Sequence, residues 1–173
     1  MNKSKVCEIK QWQKISNYSD SKLMVVQEDL AISKVQVIEN IPLVYDSSES
    51  CGENNKNKKT TSLLDSACRQ LREYLLGQRK NFSLSLKPRG TSFQLKVWQE
   101  LRKIPYGETR SYKQIAENID AGSPRAVGGA CGQNPILIFI PCHRVIRTDG
   151  SPGGFGAGRE VKKKLLELEG CKL

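Results

Sequence analysis

The stretch best suited to chemistry is IPCHRVIRTDG, residues 140–150, which joins the chain's one histidine to one of its six cysteines. A cysteine attacks as its thiolate, and a nearby imidazole can take its proton. Adjacent side chains diverge on a strand or helix, so a water bridging Cys142 and His143 is more natural than direct contact. Glu169 is a candidate carboxylate to orient the ring. An inert, buried Cys142 is the alternative that these residues leave open.

A second group with unusual composition is RAVGGA, residues 125–130. Inside a helix, Gly128 and Gly129 each cost about 1 kcal/mol relative to alanine, and an arginine at a helix N-terminus opposes the helix dipole. A DNA backbone lying close to the glycines, with Arg125 at an anion or an unpaired base, would explain both features. Tight helix–helix packing and a solvated arginine are the alternatives.

A third group is the glycine-rich segment GSPGGFGAG, residues 150–158. It is too rich in glycine for a helix or strand, and too apolar for a mere spacer. We predict a loop that closes over a pocket and presents backbone N–H groups to it. A phosphate-binding loop is less favoured because no G-K-[ST] follows.

The composition favours a globular protein with an anionic partner. The net charge is +10, with 38% hydrophobic and 27% charged residues. This excess attracts polyanions, nucleic acid above all, although a merely basic protein would show it too. No apolar run approaches the roughly 20 residues of a membrane span, and no apolar stretch follows the basic N-terminus as in a secretory signal. We therefore expect reduced, intracellular thiols and no membrane partner. With scattered cysteines and one histidine, we predict no metal and no cofactor.

The elements that must position these residues are predicted in two halves. Residues 20–45 alternate apolar and polar positions and predict two or three strands, whereas 51–62 reads as an exposed loop. An apolar face beginning at Leu63 predicts a helix that ends near Gly77. FSLSL, residues 82–86, predicts a further strand, and KPRG at 87–90 predicts a linker.

The second half is predicted to be mainly helical. Capping boxes mark two helix starts, at Thr91 with Gln94 and at Ser111 with Gln114. Ser123 as N-cap and Pro124 at the first helical position begin a third helix. The second and third helices, joined by a tight glycine-containing turn, have the shape of a helix-turn-helix. A last helix, REVKKKLLELEG, should point Val161, Leu165 and Leu168 inward and end at Gly170.

Five segments occur together in order: RAVGGA, NP at 134–135, IPCHRVI, the glycine-rich loop and LLELEG. Together they resemble the 6-O-alkylguanine-DNA alkyltransferases, also called methylated-DNA–protein-cysteine methyltransferases. The resemblance is tight over residues 91–173, whereas the first 85 residues match only in length and coarse α/β pattern. It implies an α/β supporting domain over 1–86, RNase H-like, with a small antiparallel sheet plus a helix. It also implies a mainly α, DNA-binding domain over 91–173 with a winged helix-turn-helix.

The reaction implied by the resemblance is DNA repair by direct, irreversible and stoichiometric alkyl transfer. Cys142 would take the alkyl group from 6-O-methylguanine in duplex DNA after the nucleotide flips out, with 4-O-methylthymine as a second candidate lesion. A lowered cysteine pKa would supply the nucleophile, His143 would act through a water as base, and Glu169 would hold the imidazole. The partner would be double-stranded DNA, contacted in the minor groove by a monomer. The location would be the nucleus in a eukaryote and otherwise the cytoplasm.

The resemblance implies roles for further residues. Asn134 would brace the active-site turn, Tyr112 would donate a proton or hydrogen bond to the departing guanine, and Arg125 would fill the gap in the base stack. The implied DNA contacts are Arg125, Ala126, Gly128 and Tyr112, and the implied pocket residues are Val145, Phe155, Gly156, Ala157, Gly158 and Cys131. Two of these depart from the common pattern, since many relatives carry tyrosine at 155 and methionine at 131.

Two other functions are compatible with such a fold and site. One is a lesion binder or transcription regulator that performs no transfer, against which the presence of Cys142 argues. The other is a thiol hydrolase with a Cys–His dyad, which would turn over many times, whereas an alkyl acceptor reacts once.

Overall fold

The computed structural model describes residues 5–9, 22–38 and 62–171. The chain forms two compact units, Met1–Lys87 and Pro88–Leu173. The boundary between them lies inside the segment 87–90, where the sequence predicts a linker. Within the described ranges, no helix is long and apolar enough to cross a membrane.

In its described residues, the first unit is a three-stranded antiparallel sheet with one helix packed against it. The strands are β1 (Lys5–Ile9), β2 (Lys22–Glu28) and β3 (Ala31–Ile38), and the helix is α1 (Leu63–Leu75). The buried residues of β2, Leu23 and Val25, alternate because a strand repeats every two residues, whereas β3 buries the neighbours Ala31 and Ile32 as well as Val35. One face of α1 is also buried, because a helix repeats every 3.6 residues. Asp29, at φ 52°, makes the tight turn between β2 and β3. The small sheet and helix agree with the fold expected for this half.

The predicted strand at 82–86 is not formed. Only Leu86 pairs with β3, as an isolated parallel bridge to Ile32. The N–H of Ser83 instead donates to Oε1 of Gln70, a buried side chain on α1, at 2.9 Å. The alternating pattern therefore belongs to an extended surface segment whose backbone is bonded partly to a side chain, so it cannot make a continuous ladder. Residues 20–21 and 39–45 of the predicted strand region, and the predicted loop apart from Ser62, lie outside the described residues.

Up to residue 171, the last that the structure describes, the second unit contains four helices and a short parallel strand pair. The helices are α2 (Ser92–Leu101), α3 (Tyr112–Asn118), α4 (Pro124–Gly132) and α5 (Arg159–Leu168), and the strands are β4 (Arg110–Ser111) and β5 (Val145–Ile146). A 3₁₀ turn, Cys142–Arg144, precedes β5. Both predicted capping boxes are present, with reciprocal bonds between the side chains and the backbone. Ser123 is the N-cap of α4, with Pro124 following, but its side chain makes no capping bond.

The position of α4 is set by long-range contacts to α2 and by the turn after α3. The buried Trp98 on α2 donates from Nε1 to the carbonyl of Ala130 at 2.9 Å. Lys96 donates to the carbonyl of Ile119, the residue that ends α3. Since α3 and α4 also pack on each other, the two helices form one layer over α2.

The buried face of α5 differs from the predicted one. Leu166 is fully buried, whereas the predicted Leu168 is only half-buried. Lys162 is also fully buried, and Glu169 just after the helix is 5% exposed. The buried side of α5 and its C-terminal end therefore include two charged side chains, Lys162 and Glu169. A search for apolar periodicity could not reveal them.

Candidate active site

Cys142 opens the 3₁₀ turn and is held there by the side chain of Asn134. Its Sγ accepts a hydrogen bond from Nδ2 of Asn134 at 3.1 Å. The same Nδ2 donates to the carbonyl of Ile140 at 2.8 Å, and Oδ1 accepts from the N–H of Ile136 at 3.0 Å. One buried amide thus joins both arms of the turn that precedes the cysteine to the sulfur atom.

This turn contains a backbone outlier. Ile138 has φ 71° and is 1% exposed. A β-branched residue rarely adopts the left-handed region, and such a conformation costs about 1–3 kcal/mol. It persists because the surrounding turn is tightly bonded, for example from the N–H of Ile140 to the carbonyl of Ile136 at 3.0 Å. The segment before Cys142 is therefore held in one shape by its surroundings rather than by local preference.

The expected lowering of the cysteine pKa is wrong for the free protein. Cys142 is only 3% exposed, and burial raises its pKa above the usual value because a thiolate loses the solvation that water gives it. The hydrogen bond from Asn134 and the charge of Lys162 act in the opposite direction without reversing the result. The sulfur is therefore a protonated thiol near neutral pH, and it would have to lose that proton to act as a nucleophile.

His143 is fully buried and bonded to Glu169. Its Nε2 lies 2.9 Å from Oε1 of the carboxylate. Because a carboxylate only accepts, Nε2 carries the proton, and Nδ1 is the nitrogen with an acceptor lone pair in the neutral ring. Burial lowers the pKa of His143, and the positive charges of Arg144 and Lys162 lower it further, against the opposing effect of Glu169. A neutral imidazole oriented by a carboxylate can accept a proton as a general base.

Glu169 accepts hydrogen bonds from more groups than the sequence indicated. Arg144 donates to it twice, from Nε at 2.8 Å and from Nη2 at 2.9 Å, and the N–H of Gly107 donates at 3.2 Å. Arg144 also donates from Nη1 to the carbonyl of Ile104 at 2.7 Å. Sequence reasoning missed Arg144 and Gly107. The only available signal was the arginine following the histidine, because Gly107 lies far from Glu169 in the chain.

Tyr112 begins α3 and lies against two glycines. A Cβ placed on Gly153, which has φ 70°, would lie 3.0 Å from the tyrosine hydroxyl, and one on Gly128 would lie 3.8 Å from the ring. Only glycine therefore suits position 153. Burial raises the pKa of Tyr112 to about 12, and any negative charge on Cys131 or Cys142 acts in the same direction. The phenol keeps its proton at neutral pH and can serve as a donor.

The other predicted pocket residues differ in how deeply they are buried. Val145 is fully buried directly after the 3₁₀ turn, and Cys131 is 8% exposed with a pKa raised by burial to about 12. Phe155 is half-buried and meets His143 nearly edge to face, with ring centroids 6.3 Å apart and planes at 80°. In the rest of the loop, Gly156 and Gly158 are exposed and Ala157 is half-buried.

The glycines of α4 are not explained by helix packing. A Cβ on Gly129 would meet nothing within 4 Å, and Gly128 makes only an ordinary contact with Tyr112. Arg125 and Ala126, in the first turn of this helix, are exposed. The structure therefore leaves this end of α4 open to a ligand, with small side chains next to an arginine.

Comparison with known proteins supports the resemblance. Residues 92–171 match the family described as "6-O-methylguanine DNA methyltransferase, DNA binding domain". A methylated-DNA–protein-cysteine methyltransferase of Methanosarcina acetivorans is 51% identical over 107 residues, which cover 60% of this chain and 67% of that protein. The constitutive enzyme of Bacillus subtilis with the same name is 49% identical over 121 residues, covering 68% and 72%. The chain belongs to the methylated-DNA–protein-cysteine methyltransferase family.

Solved structures extend the likeness to both halves of this methyltransferase. The O6-methylguanine methyltransferase of Mycobacterium tuberculosis matches with a TM-score of 0.75 and 34% identity, over 96% of this chain and 93% of that one. A structure of Mycobacterium tuberculosis OGT in complex with DNA matches with a TM-score of 0.72 and 33% identity, over 95% and 91%. The family's activity, DNA binding and role in DNA repair therefore apply to this chain.

Proposed function

We propose that this methyltransferase transfers the alkyl group of 6-O-methylguanine in duplex DNA to Cys142, once per protein molecule. One observation carries the proposal: a single 3₁₀ turn presents a thiol held by Asn134 and, next to it, an imidazole held by a buried Glu169. The nucleophile and the base are then neighbours on one turn, and the orienting carboxylate is bonded to the base. 4-O-Methylthymine is the second lesion to be tested.

The reaction is a nucleophilic displacement at the methyl carbon. The proton of Cys142 passes through a water to Nδ1 of His143, and the sulfur attacks the methyl group as the carbon–oxygen bond breaks. The electron pair of that bond goes to the guanine oxygen, and Tyr112 donates a proton to the leaving guanine. The imidazolium releases its proton and the tyrosine regains one through solvent. The products are guanine and S-methylcysteine, a stable thioether, so the protein is used up.

DNA is engaged through the open end of α4. A buried base must leave the stack to be reached, which costs a few kcal/mol. Arg125 is exposed, and among the described residues none is hydrogen-bonded or ion-paired to it, so it can enter the gap that the flipped nucleotide leaves. Ala126 and Gly128 allow the helix to approach the minor groove closely. In this proposal α3 and α4 are the helix-turn-helix and the β4–β5 segment is its wing.

The decisive experiment measures the mass of the protein after reaction. The protein is mixed with duplex DNA carrying one 6-O-methylguanine, digested and analysed by mass spectrometry. We expect the mass of one CH₂ on the peptide containing Cys142, with no more lesions repaired than protein molecules present. An unmodified Cys142 after loss of the lesion, or repair that exceeds the amount of protein, would contradict the proposal.

A substitution at Gly129 tests which face of α4 meets DNA. Gly129→Ala should stabilise the free protein by about 1 kcal/mol, because alanine is the better helix former and the added methyl group meets nothing. The same methyl group should weaken duplex binding by crowding the minor groove. Thermal unfolding and DNA affinity are measured together. Gly132→Ala controls for the gain in stability alone, because a Cβ there also meets nothing but the residue lies three positions along on nearly the same face. Unchanged DNA affinity in Gly129→Ala would place the interface elsewhere.

A further inference from the structure

Lys162 is a buried cation beside the active-site turn that neither the sequence patterns nor the proposed mechanism uses. It is fully buried on α5. Its Nζ donates to the carbonyl of Val145 and, at 3.4 Å, to that of Gly154. The ammonium also lies 5.6 Å from the centre of the Tyr112 ring. It therefore joins the residue after the 3₁₀ turn, the glycine-rich loop and the tyrosine.

The bonds of Lys162 solvate its charge but do not neutralise it. Carbonyl dipoles and an aromatic face stabilise an ammonium, but both are electrically neutral. Within the described residues, no carboxylate lies within ion-pair distance of Lys162, whereas the buried Arg144 has Glu169. A buried charge without a counter-charge is costly, so a lysine at this position would be stabilised by an anion that forms at the site.

We propose that Lys162 is the counter-charge of the Cys142 thiolate that forms during alkyl transfer. This inference rests on the proposed function and adds a residue to it. The carbonyl of Val145 anchors the ammonium to the turn, because the N–H of Val145 itself donates to the carbonyl of Cys142. Deprotonation of Cys142 then gives the buried site a balanced pair in place of a lone cation. The same charge disfavours protonation of His143 before the reaction, which keeps the base neutral.

The groups around Lys162 define the expected pH dependence. Cys142, Cys131 and Tyr112 face it, and His143 feels its charge. Burial lowers the pKa of Lys162 to about 8, while the pKa values of Tyr112 and Cys131 are raised to about 12. Below about pH 8 the lysine is charged and stabilises the thiolate, whereas above that pH it is neutral and this stabilisation is lost. The two groups near 12 do not titrate in this range.

The test compares Lys162→Met with Lys163→Met across pH 6 to 10. Methionine removes the charge but fills a similar volume. Lys163 is on the same helix, in an exposed ion pair with Glu160 at 3.0 Å, so its replacement changes the net charge equally outside the site. The transfer rate is measured at saturating lesion-bearing DNA, so that affinity does not enter. Thermal unfolding and affinity for unmodified duplex are measured on both variants.

We expect Lys162→Met to transfer at least about tenfold more slowly at pH 7, in line with the loss of one opposite charge near an acid. We also expect it to lose the decline in rate that the parent and Lys163→Met show above about pH 8. A slower rate with an unchanged pH profile would mean a structural role and overturn the proposal, as would an unchanged rate.

Two further results keep the inference separate from the proposed function. If the parent modifies Cys142 but Lys162→Met matches it, only the role of Lys162 fails; if the parent leaves Cys142 unmodified, the proposed function fails. Should Lys162→Met not fold, the parent profile decides alone. A parent rate that keeps rising through pH 9 would contradict the proposal, and a decline there would support it.

Discussion

A Cys142→Ser variant is expected to bind lesion-bearing duplex and to accept no alkyl group. The serine hydroxyl can still accept the hydrogen bond from Asn134, so the turn should keep its shape. Its oxygen, however, is a much weaker acid than the thiol, and burial already disfavours the anion at this position. Without an anionic nucleophile, the activation barrier of the displacement is too high for measurable transfer. Mass spectrometry should show no added CH₂, while DNA affinity stays close to that of the parent.

The matched control is Cys131→Ser. Cys131 is also buried near Tyr112, and burial raises its pKa to about 12, which makes it a poor nucleophile. We therefore expect Cys131→Ser to transfer at close to the parent rate, with the adduct on Cys142. If transfer were lost in Cys131→Ser and kept in Cys142→Ser, the acceptor would be the other sulfur.

A Glu169→Gln variant is expected to lose both stability and activity. The carboxylate is the counter-charge of Arg144, whose side chain is 7% exposed. Breaking a buried ion pair by removing one partner costs about 3–5 kcal/mol, because the remaining charge stays buried and uncompensated. The transfer rate should fall by about 10²–10⁴-fold, the usual contribution of a general base. This follows because Glu169 both orients His143 and opposes the lowering of its pKa.

Denaturant unfolding measures the loss of stability, and single-turnover kinetics under folding conditions measure the loss of transfer rate separately. Glu160→Gln is the control, since its ion pair with Lys163 is exposed and such pairs contribute at most about 1 kcal/mol. Combining Glu169→Gln with Arg144→Met should restore part of the stability but not the rate, because the buried charge is removed while His143 still lacks its carboxylate. A Glu169→Gln protein as stable and as active as the parent would show that this network is not what holds the site.

Local patterns predicted the helix starts of the second unit well. Thr91 with Gln94, and Ser111 with Gln114, make the reciprocal bonds that their spacing indicated. These bonds join groups three residues apart, so they depend little on the rest of the fold. The segment 82–86 shows the opposite case. Its alternation was that of a strand, but the N–H of Ser83 donates to the side chain of the distant Gln70 rather than to a neighbouring strand.

For the active site, too, the sequence revealed some properties and not others. The adjacent Cys142 and His143 could be recognised from the sequence, and so could the family, because these residues are neighbours in the chain and their types are specific. The protonation states of Cys142 and His143 could not be recognised from the sequence. Burial by residues from several helices raises the pKa of the thiol and lowers that of the imidazole, and no run of sequence contains that information.

The charged partners of the site are likewise a product of tertiary structure. Arg144 and Gly107 meet at Glu169 across 25 and 62 residues of chain, and Lys162 reaches the carbonyl of Val145 across 17. Residue types and short spacings determined which groups can react and where the helices begin, because both depend on covalent neighbours. Only the packing of distant segments decided which charges share a low-dielectric interior, because the cost of an unsolvated charge depends on everything that surrounds it.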